Sequence, residues 1–139
     1  MKKPSFLIFL LILLSACTSE TTETGAEHIV KEYYTSLNNK DYSVMYSLIS
    51  EGFKQIEPTA KDLTTFQQEM SKFFDAATSI MVTSTSIRSE TPTEVVVDYV
   101  ALITLKSGTQ QELKSGFTVK KKPEGWRLIH PYGKNIDTS

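Results

Sequence analysis

Few side chains in this 139-residue sequence stand where they could do chemistry; it has one cysteine, Cys17, and two histidines, His28 and His130. A single thiol cannot close an internal disulfide. Left free in an oxidising compartment it would be a reactive liability, so modification is the expected fate of Cys17. Near the other end, Trp126, Leu128, His130 and Tyr132 alternate, which places all four on one face of a strand. With Trp126 toward the core, an imidazole and a phenol reach the rim of a pocket, where they could move protons, and Tyr33 and Tyr99 are further pocket candidates. Spacing assigns no carboxylate to His130, so the simpler expectation is a His and a Tyr at a strand end, partly exposed and hydrogen-bonded. Asp98 interrupts an apolar run. Buried there it would have a raised pKa and could serve as a base; in an antiparallel sheet such an Asp more often faces water. His28 falls off the apolar face of its helix and is expected to be solvated.

Other chemistries find no footing in the sequence. The two histidines lack metal-ligand spacing, the six glycines are scattered rather than gathered in a phosphate loop, and no serine sits in a nucleophile-elbow pattern. No cofactor is implied. The formal net charge is −1, from 15 basic and 16 acidic residues, with no basic stripe. That balance argues against nucleic acid as a partner, since phosphate neutralisation needs clustered Lys and Arg. At 40% hydrophobic and 22% charged residues the chain is expected to be globular.

The start of the chain explains Cys17. Lys2 and Lys3 precede an unbroken apolar run, Phe6 to Leu14, and then Ser15, Ala16 and Cys17. A basic start, a short apolar run and small exit residues describe a secretory signal peptide over residues 1–16, too short to stay as a membrane-spanning helix. Leu14-Ser15-Ala16-Cys17 resembles the lipobox of bacterial lipoproteins. The resemblance implies that Cys17 is lipidated, becomes the new N-terminus and anchors the protein to the outside of the cell membrane. Thr18 to Gly25 has no apolar residue; with Cys17 it reads as a flexible tether over residues 17–25. An α+β domain over 26–132 and a polar tail over 133–139 complete the organisation.

Within that domain, helical periodicity predicts three helices. The first begins at a Thr24/Glu27 capping box, carries Ile29, Val30, Tyr33, Tyr34 and Leu37, and ends at Asn38-Asn39. The second is capped by Asp41 and closed by Gly52, and the third follows Pro58 with Thr59 as cap. The period then shortens. Strands are predicted over 79–88, 94–106, 111–121 and 126–132, joined by turns at Thr91-Pro92-Thr93, Ser107-Gly108 and Pro123-Glu124-Gly125. The expected fold is α+β: three N-terminal helices packed on one face of a curved four-stranded antiparallel sheet. Lys120, Lys121 and Lys122 could touch anionic lipid at about 1 kcal/mol per charge, but are expected to solubilise a hairpin and block pairing at a strand edge.

The segment Tyr33 to Ser50 resembles the opening of nuclear-transport-factor-2-like domains, where an Asp-Tyr pair opens a short second helix. Gly125-Trp126-Arg127-Leu128-Ile129 is similar to that family's last strand. The resemblance implies a cone whose mouth can hold a small apolar ligand. That fold hosts isomerases, dehydratases, binders and scaffolds alike, so it does not assign a function.

The long strand has one more property. Val95, Val97, Tyr99, Ala101, Ile103 and Leu105 fill one face, while Val96, Val100 and Leu102 fill most of the other. A sheet covered by helices on one side should alternate apolar and polar. Val96, Val100 and Leu102 are therefore interface candidates, for a homodimer or an envelope protein. The expected function is a membrane-anchored, non-catalytic binding or interaction domain whose partner is a protein, peptidoglycan or a small apolar ligand. The alternative is a small isomerase- or hydrolase-like enzyme with its pocket near His130 and Tyr132.

Overall fold

A computed structural model describes residues 24–131. Cys17, Tyr132, the apolar leader and the polar tail lie outside the described residues. Helix α1 spans Gly25–Asn38 behind the expected capping box: Thr24 accepts from the Glu27 amide while Glu27 reaches back to the Thr24 amide. Helix formation thus begins at Thr24, inside the stretch read as tether. Helix α2 (Tyr42–Leu48) is capped by Asp41, as expected.

The next segment departs from expectation. Gly52 does not close α2 but is buried inside a further short helix, α3 (Glu51–Ile56), capped by Ser50. Proline 58 opens a single 3₁₀ turn, Pro58–Ala60, and Asp62 rather than Thr59 caps the following helix, α4 (Leu63–Ser71). The Asp62 side chain accepts from the Thr65 amide at 2.8 Å. A last turn of helix, α5 (Phe73–Ala76), precedes the sheet. Capping residues three positions apart at 59 and 62 offered two starts, and the carboxylate, the stronger acceptor, took the role.

Strands β1 (Ala77–Glu90), β2 (Glu94–Leu105), β3 (Gln110–Lys122) and β4 (Gly125–Ile129) pair antiparallel in the order β1-β2-β3-β4. Beyond β4, Ile49 makes a parallel bridge to Leu128, and the Ser50 amide donates to the Leu128 carbonyl at 2.9 Å. β4 ends earlier than expected, leaving His130 and Pro131 past its last residue. β3 is an interior strand, so Lys120 to Lys122 do not guard an edge.

β1 bends through three evenly spaced bulges, where Thr78, Thr83 and Arg88 are the extra residues. The hydroxyls of Thr78 and Thr83 donate to the Thr104 and Val100 carbonyls of β2. Each side chain thus repairs the ladder that its own bulge interrupts, while the bulge bends and twists the strand.

The inner face of β2 is buried as the alternation requires: Val95, Val97, Tyr99 and Ala101 are at most 5% exposed and pack against Ile29, Val30, Tyr33, Leu37, Met45 and Phe66 of the helices. The domain is thus the expected α+β fold, with more and shorter helices on one face of a curved four-stranded antiparallel sheet.

Candidate functional site

Three places gather side chains with chemical potential. The first is on the inner face. Successive residues of α1, Tyr33 and Tyr34, meet Tyr99 of β2 and Phe117 of β3. Tyr99 and Phe117 stack, with ring centroids 5.7 Å apart. The Tyr34 and Tyr99 hydroxyls lie 2.5 Å apart, and Tyr33 donates to the Met70 sulfur at 3.8 Å. Burial, reinforced by the neighbouring Tyr99 phenol, pushes the Tyr33 phenol above its usual range. Burial and the hydroxyl bond to Tyr99 do the same to Tyr34. These phenols stay protonated at physiological pH. They do not supply a base. The pocket candidates Tyr33 and Tyr99 are therefore brought together, and Tyr34 and Phe117 join them. Periodicity already put Tyr33 and Tyr34 on one helical face; their meeting with Tyr99 and Phe117 comes from long-range packing that spacing does not show.

The second place is His130. Its ring contacts Phe53 edge-on at 4.9 Å, and Nε2 lies 3.3 Å from Oε2 of Glu57. The carboxylate that spacing did not assign to His130 thus comes from the segment before the 3₁₀ turn, far away in sequence. Hydrogen bonds from the Thr59 hydroxyl and amide, and then the contact with His130, outweigh burial and hold the Glu57 carboxyl below its usual value of 4.5. A carboxylate depressed in the fold stabilises it above the unfolded-state pKa, and that contribution disappears as pH falls through the folded value. Glu57→Gln should therefore be less stable than the wild type near about pH 6, with the gap closing toward about pH 3 in acid titrations of the melting temperature. A gap that widened on acidification would contradict this role.

The third place is the outer face of the sheet. A concavity of about 370 Å³ there is lined by Ser84, Ser86, Arg88, Asp98, Val100 and Lys114, among others. Asp98 faces outward and forms a two-pronged ion pair with Arg88, the third bulged residue. Its expected partner was water. Gly116 lies opposite Asp98 on β3, and a Cβ there would stand 2.8 Å from the carboxylate. The interface candidates Val96, Val100 and Leu102 line up along this face, all half-buried. Thr118, Lys114 and Glu112 are registered beside them on β3. Met81, opposite Leu102 on β1, is 58% exposed. The face is thus a short apolar column, broken between Val96 and Val100 by the Asp98–Arg88 pair and flanked by polar residues, rather than an apolar sheet. His28, as expected, is exposed, within 3.8 Å of Glu32.

Among the described residues no cluster of His, Cys, Asp and Glu could hold a metal ion, and no helix is long and apolar enough to cross a membrane. No family model matches the sequence, and neither does any curated protein. Solved structures do share the fold. A SEC-C-motif-containing protein from Rhodopseudomonas palustris superposes with a TM-score of 0.55 at 15% identity, over 78% of this chain and 80% of the other. A protein from Novosphingobium aromaticivorans, described as a candidate aromatic ring hydroxylase, gives 0.53 at 10% identity, over 73% and 80%. A third, from Xanthomonas campestris, is described as a candidate calcium/calmodulin-dependent protein kinase II association domain and gives 0.52 at 11%, over 78% and 86%. Likeness at such identities establishes the fold alone, and it is consistent with the nuclear-transport-factor-2-like domain that the sequence resembles.

Proposed function

We propose that this protein is held outside the cell membrane by lipid on Cys17 and works there as a non-catalytic interaction domain. The observation that carries this reading is the outer sheet face. The helices bury the opposite face, and the column of Val96, Val100 and Leu102, extended by Met81, remains available to a partner. Apolar side chains aligned within a polar rim are what protein interfaces use. The anchor is supported by the apolar leader, the lipobox-like Leu14-Ser15-Ala16-Cys17 and the absence of a second cysteine. A second copy of the chain is the first partner to test, with another envelope protein next.

Val100→Glu places a carboxylate in the column at a half-buried position that already meets solvent, where the monomer should tolerate it. Native mass spectrometry of the wild type should show a dimer or a co-purified partner, and the variant should lose it with its melting temperature within a few degrees of wild type. An assembly that survives Val100→Glu and Leu102→Glu would remove the outer face from the proposal.

The His130–Glu57 pair favours a second reading, a small isomerase- or hydrolase-like enzyme, because a carboxylate orients an imidazole for proton transfer. Retention of a small-molecule adduct by the wild type and its loss in His130→Gln would move the weight to that reading.

A further inference from the structure

An isoleucine is buried on the sheet face opposite the helices. Residues registered opposite one another in an antiparallel ladder share a face. Val119 and Leu128 are such a pair, and both belong to the core beneath the helices. The adjoining row, Val96, Thr118 and Ile129, therefore points outward. Val96 and Thr118 are half-buried, as an open face would leave them. Ile129 is 1% exposed, yet it is not part of the core cluster that Leu128 joins. The segment around α3 that reaches this end of β4 is engaged with the next residue, His130, through Phe53 and Glu57. A groove of about 200 Å³ crosses the outer face here, lined by Pro131, Ile129, Thr118, Gly116, Val96 and Arg88 among others. It leads from the end of β4 toward β1. Pro131 stands in its wall, so the chain leaves the described domain at the groove.

We propose that residues 132–139 lie in this groove, with Tyr132 beside Ile129 and Ile136 over Val96. These are the only two large apolar side chains of that segment, YGKNIDTS. β4 ends at Ile129, so its alternation does not hold Tyr132 on the His130 side. Neighbouring strands are about 4.8 Å apart, which puts Val96, two strands away, roughly 10 Å from β4. Five extended residues reach about 17 Å, so Ile136 arrives at Val96 with chain to spare. Seating both side chains takes apolar surface on the segment and on the groove out of water together. The segment thus occupies the Val96 end of the outer column. The Asp98–Arg88 pair separates that end from Val100, Leu102 and Met81, which are left for a partner. Only this last division rests on the reading of the outer face as an interaction surface.

The test is thiol footprinting of the full chain carrying Thr118→Cys, with alkylation followed by peptide mass so that Cys17 is read separately. Thr118 lies between Ile129 and Val96, and Ser84→Cys, exposed on the same face outside the groove, is the reference. The double substitution Tyr132→Ser, Ile136→Ser should raise the alkylation rate at position 118 at least about tenfold and leave the rate at position 84 unchanged. An unchanged rate at position 118, or an equal rise at both positions, would overturn the proposal. Slow alkylation that becomes fast on dilution would overturn it as well, because a second copy of the chain would then be the cover. Assembly through the rest of the face is read from the mass change that Val100→Glu causes, so either reading can fail alone.

Discussion

Replacing Leu128 with alanine is expected to lower the melting temperature by roughly 10 °C or more, from a loss of about 2–5 kcal/mol. Leu128 is fully buried, and it sits where the helical layer and the last strand are joined. Its backbone holds Ile49 and Ser50 in a parallel bridge, and its side chain belongs to the cluster built by Ile29, Val30, Met45 and Val119. Truncation leaves a cavity between layers already fixed by those contacts, so the site cannot relax by local collapse. The same truncation at Val96, half-buried on the outer face, should cost less than half as much. Differential scanning calorimetry of both variants decides the matter, and equal losses would mean that the inner face is not the core.

Asn38→Leu is expected to cost about 1–3 kcal/mol although the side chain is exposed. Its amide behaves as a short piece of strand: the nitrogen donates to the Ile80 carbonyl at 2.5 Å, and the oxygen accepts from the Ile80 amide at 2.9 Å. Both groups belong to β1, an edge strand, where an unmatched pair would face either solvent or another molecule. Asn38→Asp keeps the shape but turns the donor into an acceptor aimed at a carbonyl, and should cost at least as much as leucine. If chemical denaturation found the aspartate variant as stable as wild type, the two bonds would carry no weight in the fold.

The expected strand pattern was legible because β2 and its neighbours alternate strongly and their turns carry proper turn residues; Gly108, with φ of 85°, occupies the left-handed position that its hairpin needs. Thr24, Glu27 and Asp41 announced their caps for the same reason, since capping is a contact between residues three apart. What escaped the sequence was long-range or degenerate. Asn38 read as a helix terminator, because nothing local distinguishes that role from pairing with a strand 42 residues away. Glu57 could not be matched to His130 across 73 residues of chain. The bulges in β1 were invisible because serine and threonine fill the strand on both faces and blur the alternation that would have shown an extra residue.

The meander β1-β2-β3-β4, placed after all the helices, sets the order in which this chain can fold as it is made. The apolar faces of α1, α2 and α4 emerge first and have no sheet to cover them. Each new hairpin then adds a neighbour to the strand before it, so pairing within the sheet is local. Yet Leu128 and Ile129, both buried, belong to the last strand of the sheet. The helices can be provisionally covered by β2 and β3, but β4 completes the core and fastens α2 through Ile49. A nascent chain missing only its last strand would therefore hold an open seam along β3, exposed to proteases and to other unfinished chains. The last strand must emerge before the domain is secure.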